Sequence, residues 1–298
     1  MQAGLVAAGA VVVSLVAHTV VSRQDLAADK RALLAKQNAV QVTLGVQWSV
    51  FRQRIEQDAV RAAAAYAGDH VDPEAQAGAF RTQPGLYLRI RLADARSPES
   101  VARAAVAGQK DAFVACLLRE PNERGLRGEL DGGAFAEQPW NLGQAYWATR
   151  ILSPEWASAV GEADDPLRLR VYAAQYDEAM RAEIPLAVEI IKRARFFLLA
   201  LDEDAPDAVD SADGGSITEA ALQLVAHPTR VYLFDTSSGK ELLRLRRSGL
   251  GRVIQVGERA STDPETRDAM QRQANNCALG RAVEDALHSA IERGGAGP

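Results

Sequence analysis

Two cysteines, Cys116 and Cys277, and four histidines, His18, His70, His227 and His288, supply all the thiol and imidazole chemistry of this chain. The histidines are scattered, and none has a ligand-type neighbour at the short spacing that a zinc site uses. Surface or capping roles account for them better than a metal does, so no metal and no cofactor are expected. The cysteines carry a sharper idea. Cys116 falls on the apolar face of an expected helix, and Cys277 lies in a terminal helix between Met270 and Leu279. In an oxidising compartment the two would form a disulfide closing a long loop. Otherwise both would be buried free thiols, which are ordinary core residues.

Two other constellations suit binding. Arg89 and Arg91 alternate with apolar residues in one expected strand, and Arg230, Tyr232, Arg244 and Arg246 alternate in an expected hairpin. If those strands are neighbours, the arginines and the ring gather on one surface that would take a carboxylate or phosphate. The plainer reading is a solvated face paired with acids from the helices. Trp140, Trp147 and Trp156 crowd the stretch "PWNLGQAYWATRILSPEW" and would line a groove for a peptide or glycan. Aromatic residues at helical spacing more often mark core packing.

No motif specifies a reaction. There is no Gly-x-Ser-x-Gly elbow, and no Ser or Cys has a nearby His. "DTSSGKE" lacks the leading glycine and following helix of a phosphate loop, and "SGLGR" reads as a turn. "DEDAPDAVDSADGG" has acids but not the ligand order of a calcium loop, so it reads as a solvated linker.

The elements that must position these residues begin with an apolar run. From Ala3 to Val21 no side chain is charged, and only Ser14, His18 and Thr19 are polar. At ~1.5 Å per residue the run spans about 28 Å, close to a bilayer core. It is longer than a secretory h-region and lacks a basic n-region, so a retained single-pass anchor is expected over residues 1–22. Residues 23–68 then continue as a helical stalk, with Leu26, Leu33, Val40, Leu44, Trp48, Phe51 and Ile55 at helical and weakly heptad spacing. That stripe suggests self-association.

"LYLRIRLADA" alternates as a half-buried strand, with one apolar face of Leu86, Leu88, Ile90 and Leu92. Ser97-Pro98-Glu99 starts a helix that runs on one apolar face through Phe113 and Leu117 until Pro121. Residues 141–203 read as wholly helical, with starts at Ser153-Pro154 and Asp165-Pro166, and with Pro185 marking a kink or a first turn. An acidic linker, 202–216, follows. In "RVYLFDTSSGKELLRLRR" a turn with Gly239 left-handed pairs Leu233 with Leu243 and Val231 with Leu245, placing all four on one face. "GRVIQV" is a further expected strand, and Thr262-Asp263-Pro264-Glu265 starts a final helix to about residue 293, before a short tail over 294–298.

The expected fold class is α+β and predominantly helical. A transmembrane helix runs into a stalk, and residues 69–293 form a small, mainly antiparallel sheet with helices on one face. The composition permits a core without metal staples, and a net charge of -5 with 34 dispersed Lys and Arg argues against nucleic-acid binding. The layout resembles, in architecture alone, bacterial membrane-anchored sensor modules. The function expected is a tethered, non-catalytic sensor or scaffold of a bacterial envelope, acting through a protein partner or small anionic ligand. An enzyme with a pocket between sheet and helical block is the rival. Arg23, Lys30, Arg31 and Lys36 after the span favour a cytoplasmic tether; the stalk-then-domain layout favours the periplasm, and is preferred.

Overall fold

Five helix starts, among them Asp72 before Pro73, lie where a capping side chain precedes proline. In the computed structural model, which describes residues 24–108, 111–118, 140–205, 219–253 and 263–295, Ser97 caps Pro98–Ala107 (α3) and Ser153 caps Pro154–Glu162 (α6). Asp165 caps Pro166–Glu178 (α7), and Asp263 accepts from Thr266 N at 2.9 Å at the start of Pro264–Gly295 (α10). Each cap satisfies a backbone donor that the first helical turn leaves open, and proline loses nothing there. The other helices are residues 24–64 (α1, with a π turn at Gln41–Gly45), Pro73–Gln76 (α2), Ala112–Leu118 (α4), Leu142–Ala148 (α5), Ile184–Arg193 (α8) and Glu219–Leu222 (α9). A π turn, Ala179–Glu183, joins α7 to α8 just before Pro185, where a regular helix would lack its backbone donor.

The chain is mixed α+β and divides into two compact units. The first comprises residues 1–51 and 148–186. In it Trp156 is buried against Tyr172 and Tyr176, at ring separations of 6.1 and 6.5 Å, and Tyr176 donates to the Lys36 carbonyl at 3.3 Å. The expected stalk is thus no free spacer. Leu33 and Trp48 of the expected apolar stripe are buried, and Leu26, Val40 and Leu44 are half-buried. The opposite side of α1 carries exposed Val42, Val46 and Val50. Among the described residues no helix is long and apolar enough to cross a membrane. The expected anchor over residues 1–22 lies outside them, as does the tail 296–298.

The second unit, residues 52–147 and 187–298, holds one six-stranded sheet. Its strands are His70–Val71 (β1), Gly85–Arg91 (β2), Trp140–Asn141 (β3), Phe196–Asp202 (β4), Pro228–Asp235 (β5) and Glu241–Ser248 (β6), in the order β1-β6-β5-β4-β2-β3. The hairpin register away from the turn is as expected, with Leu233 facing Leu243, Val231 facing Leu245 and Gly239 left-handed at φ +71°. The expected pairing of Thr236 with Lys240 is replaced by a bond from Asp235 N to the Lys240 carbonyl. A bulge between Leu233 and Phe234 shifts the register next to the turn.

Three expectations are corrected. Helix throughout 141–203 fails at "FFLLALD", which forms β4 between β2 and β5. All seven residues of β4 are buried, and its continuous run of six apolar residues before Asp202 suits a central strand as well as a buried helix. The sheet is mainly antiparallel, as expected, with a parallel part: β1, β6, β5 and β4 pair antiparallel, whereas β4, β2 and β3 pair parallel, because a helical crossover separates β2 from β4. Helices cover both faces rather than one. On one face Tyr87, Leu198, Val231, Leu233, Leu243 and Leu245 pack with Phe113 and Leu117 of α4 and Leu279 and Val283 of α10. On the other, Leu86, Leu88, Ile90, Leu199 and Leu201 are equally buried, and Tyr232 donates to the Ala62 carbonyl at the end of α1. Finally, the helix from Ser97 breaks at Gly108, and Asp111 caps the separate α4 by accepting from Phe113 N at 3.0 Å.

"GRVIQV" is not a strand over residues 251–253, and its remainder lies outside the described residues, as does most of the acidic linker. Gly249 and Gly251 instead lie against α10. A Cβ on Gly251 would sit 2.1 Å from the Ala274 carbonyl oxygen, and one on Gly249 would sit 2.4 Å from Leu279 N.

Candidate functional site

The densest chemistry of the second unit gathers where β2 and β4 end and β5 begins. Alternation along β2 places Tyr87 and Arg89 on the face covered by α4 and α10, and parallel pairing sets Arg89 beside Ala200 and Arg91 beside Asp202. Arg89 is only 3% exposed. Its guanidinium makes a two-pronged bond to Asp202, Nε to Oδ2 at 2.8 Å and Nη2 to Oδ1 at 3.0 Å. Nη1 donates to Asp111 Oδ2 at 3.0 Å and to Asn276 Oδ1 at 2.7 Å. Tyr87 donates to the same Asp111 oxygen at 2.8 Å.

The fully buried Asp202 also accepts from Thr229 Oγ1 at 2.8 Å. His227 Nε2 lies 3.1 Å from its Oδ1, off the hydrogen-bond line, and His227 Nδ1 lies 3.0 Å from the Val225 carbonyl oxygen. Asn276 Nδ2 reaches Gln223 Oε1 at 3.3 Å, and Asn275 Nδ2 donates to the Gln223 carbonyl at 2.9 Å.

The electrostatics follow from burial. Desolvation alone would raise the Asp202 carboxyl, but the Arg89 charge, the adjacent His227 and the two bonds from Arg89 outweigh it and hold the group well below the usual carboxylate range. Burial would likewise disfavour charge on Arg89, yet Asp202 and Asp111 keep it firmly protonated. Tyr87 is pushed up by burial and then by Asp111. Four guanidinium bonds are spent on groups of the protein itself, and Asp202 is occupied from three sides. Such a cluster holds backbone elements; it does not offer a reacting atom. It ties β2, β4 and β5 to the cap of α4 and the middle of α10, and a buried pair of this kind is costly to break.

A second buried carboxylate, Glu56 on α1, accepts from Tyr146 Oη at 2.9 Å and lies 3.2 Å from Arg52 Nε. Burial raises Glu56 despite these partners, and it raises Tyr146.

The sequence-derived candidates fare differently. Cys116 of α4 and Cys277 of α10 form a disulfide across 161 residues, with Cα atoms 5.1 Å apart. It sits beside the cluster, since Asp111 caps α4 and Asn276 precedes Cys277. The six residues of the expected anionic-ligand face are divided between the two faces of the sheet. Arg89 and Arg91 lie with Val231 and Leu245, while Arg230, Tyr232, Arg244 and Arg246 lie on the other side. Interposed β4 sets that parity. Nor are these arginines open: Arg91 pairs with Asp204 at 2.6 Å, and Arg230 and Arg246 both clasp Glu203 at 2.7 Å. Arg244 donates to the Gly68 carbonyl at 2.7 Å.

Trp156 is core within the first unit, Trp147 on α5 is 51% exposed, and Trp140 lies in β3. Sequence reading missed Asp111, Asp202, Thr229, His227 and Asn276. The one available signal was Asp202, an acid closing a continuous apolar run. Among the described residues no group of His, Cys, Asp and Glu is arranged to hold a metal ion. Set against protein-family models, curated proteins and solved structures, the chain matches none.

Proposed function

We propose that this chain is a membrane-tethered, non-catalytic binding and scaffolding protein of a bacterial envelope. The apolar run Ala3–Val21 holds it in the inner membrane, and the folded units stand in the periplasm and engage a protein partner. The observation that carries the reading is the ridge of Val42, Val46 and Val50 on α1, which are 60–69% exposed. Three large apolar side chains in register on one helix mark a surface suited to a partner. The disulfide supports the compartment, since such bonds persist where the surroundings are oxidising. The buried Arg89 cluster supports scaffolding over catalysis, because its strong donors and acceptors are engaged internally.

Fractionation with protease protection tests this. The chain should stay with membranes through an alkaline carbonate wash and become protease-sensitive once the outer membrane is permeabilised. Recovery in the high-speed supernatant, with an amino end at or beyond Arg23, would overturn the tether. A Val46→Glu and Val50→Glu double variant should lose crosslinking to its partner while its fold, read by circular dichroism, is kept.

A further inference from the structure

In the first unit α1 and α7 lie side by side, and each offers the same spacing to the space between them. From α1 come Asp29, Ala32, Leu33 and Lys36; from α7 come Pro166, Leu169, Arg170 and Ala173. That is i, i+3, i+4, i+7 on both helices, one face of each. Two packed helices ordinarily close such a seam with large side chains. Here Ala32, Ala173 and Pro166 occupy seam positions, and a cavity of about 280 Å³ is left open. Its floor is apolar, with Leu33 and Leu169 buried. Its rim holds the exposed side chains of Lys36 and Arg170, neither of which has an acidic partner among the described residues.

We infer that this groove binds a monoanionic amphiphile, with the alkyl segment on the Leu33–Leu169 floor and the carboxylate or phosphodiester head between Lys36 and Arg170. The apolar floor and the limited volume suit a short alkyl segment. Arg170 supplies a planar fork for two anionic oxygens, and Lys36 lays its stem along the apolar wall with its ammonium at the rim. Asp29 decides the charge: with one acid against two bases the rim is +1, so a single negative charge neutralises it and a dianion is disfavoured. The same chemistry is met in an anionic phospholipid and in a free fatty acid. The inference rests on the tethered binding reading only for the choice between those sources.

The test uses the full chain in phosphatidylcholine nanodiscs, titrated with dodecanoate by calorimetry, with empty nanodiscs subtracted. Dodecanoate should bind saturably, one per chain. Dodecanol and inorganic phosphate should each bind at least tenfold more weakly, since each lacks one half of the match. Lys36→Glu with Arg170→Glu should weaken dodecanoate at least tenfold. Ala173→Leu, which fills the hollow and keeps both charges, should do the same, with helix content unchanged in each. Competition by phosphatidylglycerol in the disc identifies the lipid as the source, and its absence identifies a free amphiphile. Either result supports the site. Absence of saturable binding, equal binding of dodecanol, or unchanged affinity in the charge-reversed variant would overturn it. A chain that needs no nanodisc fails the tether alone, because the same titration then runs in buffer.

Discussion

Replacing Arg89 by Met removes the centre of the buried cluster while keeping most of its volume. Four hydrogen bonds are lost: two to Asp202, one to Asp111 and one to Asn276. Asp202 is then a buried carboxylate left with Thr229 and the neighbouring His227, and Asp111 keeps only Tyr87 and Phe113 N. Stranding one partner of a buried pair costs about 3–5 kcal/mol, and here two acids lose the same cation. That is a large share of the roughly 5–15 kcal/mol by which ordinary domains are stable. Urea unfolding of the oxidised protein at pH 7, followed by circular dichroism, should show the loss as a lowered midpoint. Arg89→Lys should recover only part, since an ammonium cannot make the two-pronged bond. Arg89→Met combined with Asp202→Leu should be less damaging than the single change, because the stranded charge goes with its partner. A single-variant loss below about 1 kcal/mol, with an unchanged denaturant slope, would refute a dry, internally saturated cluster.

Acid should weaken the protein through Asp202. Its folded-state pKa lies below the ordinary carboxylate value, so its contribution is complete above about pH 5 and is lost as pH falls below about 4, toward the folded value. Asp202→Asn should flatten the acid limb of stability against pH by up to about 1.4 kcal/mol per pH unit, and an unaltered limb would contradict the linkage. Cleaving the Cys116–Cys277 bond, or replacing both residues by Ala, frees a 161-residue loop and should cost about 5 kcal/mol on chain entropy. Alkylation of the denatured, unreduced protein should find no free thiol. Gly251→Ala should destabilise by about 1–3 kcal/mol, since its Cβ would meet backbone of α10 at 2.1 Å; equal midpoints in a thermal melt would show that the segment is not seated there.

What could be read from the chain alone was local. A capping side chain before proline acts on donors two or three residues away, so the starts at Ser97, Ser153, Asp165 and Asp263 were visible without any tertiary information. The hairpin was visible for the same reason: a left-handed glycine and four alternating apolar residues set one register within a short span. "FFLLALD" was not decided by its own residues, because six apolar positions in a row satisfy a buried helix and a central strand alike. Its place was settled by neighbours on both sides, Gly85–Arg91 and Pro228–Asp235, and both are remote in sequence. From that one placement came the parallel half of the sheet and the separation of Arg89 from Arg230, Arg244 and Arg246 onto opposite faces.

The candidate cluster shows the same division. Alternation marked Arg89 as pointing away from Leu88 and Ile90, and that was right. Whether the far side was water or a second core depended on α4 and α10 covering it. The acids that receive Arg89 lie 22 and 113 residues away. Short-range chemistry, which acts through bonds between near neighbours, was therefore written in the sequence. Burial and charge pairing are properties of surfaces brought together from distant segments, and they were decided only when the chain closed on itself.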